Sequence, residues 1–309
     1  MNILPILFLL NSSSWMYNKT LYEVTIPGTH DSCSFNITGK TLTNISKEYD
    51  ILIHLAKILN ISVDSTIAGW SRTQTMDLTS QMNNGIRYLD IRIDYYNNRW
   101  YVHHNFVLGS PLENMFEQIS QFMLENPSEI LLIELTHVFN IDADAIHLLN
   151  RTVHNYFQNF LYKGSQYNNE TIGKLVETNQ RLIVVSSLPL FVDDSFIIST
   201  WANTANIPEM INFNNEIMRI WQNNKYNSLL KVSWVLTPNI TTFIEGFFQN
   251  KNLYNLEKGL TQVLVHWMNQ FMVENIFRCP LFPNIIIIDF VNSTNFANQI
   301  IQSLDMCNN

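Results

Sequence analysis

The chain is poor in charge, in glycine and in cysteine, and each shortage removes a class of protein. Charged residues fill 14% of the 309 positions, and the formal net charge is −8 at pH 7. A chain without basic excess does not bind nucleic acid by electrostatics. The nine glycines form no G-x-G-x-x-G turn, so a dinucleotide fold has no support. Three cysteines (Cys33, Cys279, Cys307) allow at most one internal disulfide, and without a C-x-x-C pair a structural zinc site is unsupported. No apolar run approaches the roughly 20 residues of a membrane-spanning helix.

Apolar residues are abundant, at 46%, which excludes a disordered chain. Asparagine is abundant too, and N-x-S/T sequons stand at Asn11, Asn18, Asn36, Asn44, Asn60, Asn150, Asn169, Asn239 and Asn292. The N-terminus MNILPILFLL carries a short apolar run before Asn11-Ser12-Ser13-Ser14. Residues 1–14 are therefore expected to be a signal peptide or N-terminal extension, and 15–309 one folded domain. Secretion is the expected localisation, with the cytoplasm as the alternative.

Strand-like runs occur at Leu21–Pro27, Gly85–Asp94, Trp100–His104, Ile130–Leu135, Arg181–Ser187, Lys231–Thr237 and Asn284–Val291. Helical spacing marks Leu112–Asn126, Ala143–Leu161 and Glu209–Asn223, with Pro127 and Pro208 as punctuation. Strands alternating with helices over about 300 residues predict a single α/β domain, a distorted (β/α)8 TIM-type barrel. Two apolar stretches, Tyr49–Leu59 and Phe243–Phe248, suit either core packing or a membrane-contacting rim.

Barrel chemistry gathers at the C-terminal ends of the strands. The titratable residues at those places are His30 and Asp31 after the first run, Asp90 and Arg92 in the second, and His103-His104 at the end of the third. Glu134 and His137 accompany the fourth, and Asp289 interrupts the last. Asp90 and Arg92 are two apart and share a strand face. Asp289 in an apolar strand must find a partner, because an unpaired buried carboxylate costs several kcal/mol. Together they make an acid–base site with a fixed cation.

IPGTHDS at 26–32, Gln74, QMNNGIRYLDIRI at 81–93, YVHHN at 101–105, NPSEILLIEL at 126–135 and IIIIDFV at 285–291 resemble the phosphatidylinositol-specific phospholipase C X-domain family. The resemblance implies cleavage of an inositol phospholipid at a membrane surface. It makes His30 the general base, backed by Asp289, and His104 the general acid, backed by Asp31, with His103 as second choice. Arg92 is expected by the phosphate, oriented by Asp90. No cofactor and no metal is expected. Asn105 stands where the family has glycine, and Thr136 where bacterial members have lysine. Lys231 opens its run and is expected at the wrong end of the barrel; neither it nor Arg181 is counted in the site. The alternatives are a catalytically silent lipid- or inositol-phosphate-binding barrel and a metal-dependent glycerophosphodiesterase-like enzyme.

Overall fold

The computed structural model describes residues 14–38, 47–164, 167–224, 228–274, 283–291, 296–298 and 300. Most of the expected leader (residues 1–13), the sequons at Asn11, Asn44 and Asn292, and Cys279 and Cys307 lie outside the described residues.

The described strands are β1 (Ile26–Thr29), β2 (Tyr88–Tyr96), β3 (Arg99–His104), β4 (Val107–Pro111), β5 (Leu131–Phe139), β6 (Leu182–Ser186), β7 (Val192–Asp193), β8 (Ile197–Thr200), β9 (Leu229–Trp234) and β10 (Ile285–Ile288). Eight of them form one parallel sheet in the order β7-β6-β5-β2-β1-β10-β9-β8. Strands β1, β6, β9 and β10 are buried at every position, as parallel strands covered on both faces must be. Only the turn Asp194–Phe196 separates β7 from β8. One short stretch of chain thus pairs with both edges of the sheet, where a regular barrel would insert a helix. This is the distortion of the expected (β/α)8 barrel.

Strands β3 and β4 form an antiparallel hairpin on β2 rather than a barrel stave. Asn97 and Asn98, both in the left-handed region (φ +49° and +58°), make the two-residue turn into β3. Asparagine tolerates that region better than other side chains. The hairpin doubles back, so His104 returns to the mouth although its strand lies outside the barrel.

The helices are α1 (Lys47–Ile58), α2 (Val63–Ser71), α3 (Leu78–Asn83), α4 (Leu112–Glu125), α5 (Ala143–Phe157), α6 (Ile172–Glu177), α7 (Ile207–Asn224), α8 (Ile240–Phe248), α9 (Leu253–Glu257) and α10 (Leu260–Glu274). Helix α4 buries Leu112, Met115, Phe116, Ile119, Phe122 and Met123, each contributing roughly 1.5–3 kcal/mol. Helix α5 stops short of the expected Leu161 because the chain there pairs with β6: the Tyr162 N–H donates to the Leu182 carbonyl and the Leu182 N–H to that of Phe160. The first strand starts at Ile26 rather than Leu21. Thr20 and Glu23 close a capping box that turns Leu21–Glu23 into a short 3-10 helix instead.

A second, smaller apolar cluster sits over the mouth and joins Ile37, Ile53, Ile67, Trp70, Phe106, Val107, Phe243, Leu253 and Phe290. The two apolar stretches are therefore divided in use. Ile53 and Phe243 pack inward, while Ile58, Leu59 and Phe248 are exposed.

Candidate active site

A cavity of about 740 Å³ opens at the C-terminal ends of the strands, and His30, Asp90, Arg92, His104, His137 and Asp289 line it. Asp31 is fully buried just behind the wall. All six residues selected from the sequence converge here.

His30 follows β1. Gly28 sits two residues earlier because a Cβ there would lie 2.7 Å from the Tyr88 ring and 3.0 Å from Ile287. Gln74 fixes the end of β1 to that of β10: its amide donates to the carbonyls of His30 (3.1 Å) and Ile288 (2.9 Å). The Thr73 hydroxyl donates to the same His30 carbonyl at 3.0 Å. With its backbone so held, the His30 ring has both nitrogens engaged. Nδ1 is 2.7 Å from Asp289 Oδ1, and Nε2 is 2.6 Å from Arg92 Nη2. A guanidinium only donates, so Nε2 is the acceptor and the proton sits on Nδ1, pointing at Asp289. Burial, then the Arg92 charge, lowers the His30 pKa to about 4. Burial pushes the Asp289 carboxyl well up, and that of Glu257, also buried, as well. Asp289 Oδ2 has no hydrogen-bond partner among the described residues.

His104 faces the same cavity, its ring centroid 6.0 Å from that of His30. Its Nδ1 donates to the Ser71 carbonyl at 2.6 Å, leaving Nε2 for the cavity. Asp31 Oδ2 stands 3.7 Å from Nδ1, within reach of a charge and beyond a hydrogen bond. The expected His104–Asp31 pair is thus electrostatic, and the direct partner is a main-chain carbonyl that no side-chain pattern marks. Burial, then the charges of Arg92 and protonated His30, holds the His104 ring well below its usual value. Burial raises Asp31 to about 7. Neither Asp31 oxygen has a hydrogen-bond partner among the described residues.

Asp90 does more than orient Arg92. Its Oδ2 accepts the Asp31 N–H at 3.0 Å and its Oδ1 the Thr136 hydroxyl at 2.6 Å, while Arg92 Nε stays 3.6 Å away. It holds the His30–Asp31 turn from below. Burial alone would raise its pKa, but Arg92 and Lys231 outweigh burial and keep it ionised.

Four residues around the cavity adopt left-handed backbone without being glycine: Asp31 (φ +41°), Asn105 (φ +51°), His137 (φ +45°) and Phe290 (φ +52°). Such strain collects at functional sites. It also accounts for Asn105 in the glycine position: the turn after His104 needs that region, and asparagine tolerates it.

Lys231 corrects an expectation. It is the third residue of β9, and it lines the cavity with Ser233 and Glu134. Its Nζ donates to Glu134 Oε2 (2.7 Å) and to the Tyr88 hydroxyl (2.9 Å), and that hydroxyl also bonds Glu134. The alternation of Lys231 and Ser233 with Leu230, Val232 and Trp234 was the signal that these two face inward. Arg181 lies at the opposite end, donating to the carbonyls of Met123, Asn126 and Glu129.

Residues 56–187 match the family model described as phosphatidylinositol-specific phospholipase C, X domain. The chain is 25% identical over 306 residues to PI-PLC X domain-containing protein 2 of Mus musculus, covering 94% of this chain and 85% of that one. It is 22% identical over 298 residues to PI-PLC X domain-containing protein 3 of Homo sapiens, with 93% and 89% covered. Its fold is similar to that of the phosphatidylinositol-specific phospholipase C from Listeria monocytogenes (TM-score 0.62, 18% identity, 93% of this chain and 95% of that one). A variant of the Staphylococcus aureus enzyme gives a TM-score of 0.64 at 16% identity, with 96% and 98% covered. Motifs, family model and relatives agree on one resemblance, to the phosphatidylinositol-specific phospholipase C X-domain family.

Proposed function

We propose that this barrel cleaves the phosphodiester of an inositol phospholipid at a membrane surface. The observation that carries the reading is the pairing of two cavity-facing imidazoles, 6.0 Å apart, with a guanidinium on one of them. His30 is neutral above about pH 4, and so is ready to act as a base near neutrality. Arg92 caps its lone pair. An arriving phosphate is a better partner for a guanidinium, so it draws Arg92 off Nε2 and leaves that nitrogen to the ring 2-hydroxyl. His30 takes the hydroxyl proton, and the alkoxide attacks the neighbouring phosphorus. The bond to the diacylglycerol oxygen breaks, and His104 Nε2 protonates that oxygen. The products are diacylglycerol and a cyclic inositol phosphate, which water opens by the reverse proton transfers. Holding nucleophile and phosphorus in one molecule supplies proximity, and Arg92 offsets charge growing on the phosphoryl oxygens.

Lys231 and Glu134 supply a polar floor for ring hydroxyls. Trp201 and Ile240 line the mouth and are 54% and 38% exposed, and Phe248 is 68% exposed. These side chains suit contact with a bilayer. Arg92 occupies the place a catalytic cation would take, so the reaction proceeds without metal. We further propose entry into the secretory pathway, consistent with exposed sequon asparagines at Asn18, Asn36, Asn60, Asn169 and Asn239. Intact mass after expression in a secretory host, with and without glycosidase, tests this; an unprocessed, unglycosylated chain overturns it.

The deciding experiment is diacylglycerol release from phosphatidylinositol vesicles with and without excess chelator. Release in both conditions is expected. Vesicle binding without release makes the protein a binding barrel, and a chelator-silenced enzyme restored by calcium makes the mechanism metal-dependent.

A further inference from the structure

His103 is adjacent to the proposed acid, yet neither of its ring nitrogens is free. Nδ1 lies 2.8 Å from the Asn105 carbonyl oxygen, and Nε2 lies 2.8 Å from that of His137. Carbonyls only accept, so both bonds form only when both nitrogens carry a proton. A neutral imidazole has one N–H; an imidazolium has two. The ring is 1% exposed, and Phe139 covers it with centroids 4.6 Å apart.

Both accepting carbonyls belong to left-handed residues. Asn105 is the turn behind His104. His137 lies where β5 carries one residue more than β2: Arg92 pairs with Thr136, but Asp94 pairs with Phe139. That bulge aims the His137 side chain into the cavity. The His103 ring thus bridges two strained elements that both border the site, while itself standing outside the cavity lining.

We propose that His103 is a positioning residue that clamps the His104 turn to the His137 bulge, and that the clamp closes when the ring takes its second proton. This rests on reading His104 as the acid. The charged groups facing the ring are Asp94 and Arg92 from β2 and His137 from β5, with His104 next along β3. Asp94, held by the Asn140 amide at 2.7 Å, favours the cation. Burial is the larger influence and lowers the ring's pKa, with Arg92 opposing the cation as well. The clamp therefore closes on the acid side. With the ring neutral, one carbonyl faces a bare lone pair and that contact opens. His104 needs its own proton to act as acid, so positioning and proton supply strengthen together as pH falls.

The test uses ring-¹⁵N spectra of the full chain from about pH 5 to about pH 8, where an ordinary histidine titrates. His103→Asn and His103→Gln serve for assignment and for kinetics. Each amide nitrogen stands near one ring nitrogen, so each variant keeps one anchor and cannot titrate. The expected wild-type spectrum has one histidine with both nitrogens protonated at the acid end. It loses one proton as pH rises, and the His104 signals shift at the same midpoint. On phosphatidylinositol vesicles both variants should lose roughly 10- to 100-fold in kcat, the scale of a small misplacement of a reacting group, with KM little changed and that midpoint gone from the kcat profile. A His103 ring with a single proton across the range overturns the proposal, as do His104 signals indifferent to its titration. A wild-type chain without turnover removes the phosphodiesterase reading, while the spectra still decide the clamp.

Discussion

The two ends of the barrel treat buried polar groups in opposite ways. At the N-terminal end, Arg87 is fully buried and spends its guanidinium on Glu129 Oε2 (2.8 Å) and the carbonyls of Met82 and Ile86 (both 2.7 Å). Arg181 beside it serves three more carbonyls. Asn284 receives the Leu230 N–H and donates to the carbonyls of Leu21 and Tyr22. At the C-terminal end, Asp31 Oδ1 and Oδ2, Arg92 Nε and Asp289 Oδ2 are buried without a hydrogen-bond partner among the described residues. Leaving such atoms unmatched costs about 1–3 kcal/mol each. The difference teaches how the fold divides its work. One end uses charge to hold helices to strands, and the other leaves polar atoms unmatched around the cavity.

Four changes probe that division, in order of expected size. His30→Ala and His104→Ala should each lower turnover on phosphatidylinositol vesicles by about 10²–10⁴-fold, with thermal unfolding nearly unmoved. Full activity in both would break the comparison at its catalytic end. Arg87→Ala should do the reverse, costing about 3–5 kcal/mol in urea unfolding because it breaks a buried ion pair with Glu129. Turnover per folded molecule should stay the same; a selective loss of turnover would place this end in the reaction.

Third comes pH. His30 must be neutral and His104 protonated, and both have lowered pKa values, His30 to about 4. kcat/KM should therefore be highest on the acid side of neutrality and fall up to about tenfold per unit as pH rises above the His104 pKa. A maximum well above neutrality would overturn the one-neutral, one-protonated imidazole pair. Smallest is Asp31→Asn. Its carboxyl pKa is raised from 3.8 to about 7 by burial, so the folded state binds a proton that the unfolded state has released. Stability then falls as pH rises from about 4 to about 7. The amide should remove that slope and raise stability at pH 7.5 by roughly 1–3 kcal/mol, measured by denaturation across pH.

The sequence made the barrel and the six residues gathered at its mouth legible through short-range signals. Polar residues interrupting apolar runs marked Asp90, Arg92 and Asp289, and helical spacing marked α4 almost to its last residue. Three features escaped. The hairpin direction of β3 depends on two left-handed asparagines, which a one-letter code does not orient. The partner of His104 Nδ1 is the Ser71 carbonyl, and every residue has a carbonyl. Lys231 looked like the start of a strand, but β9 begins two residues earlier, at Leu229, and brings it into the cavity.

The proposed base is assembled from segments far apart in the sequence. Strand β1 pairs with β10, Gln74 bonds the carbonyls at both strand ends, and His30 meets Asp289 across 259 positions. Ribosomes make proteins from the N-terminus, so a growing chain displays both histidines and Arg92 long before β10 exists. Until residue 289 has emerged, His30 has no carboxylate to set its tautomer. A centre of this design stays unassembled until β10 has been made, whatever the order in which the rest of the barrel folds.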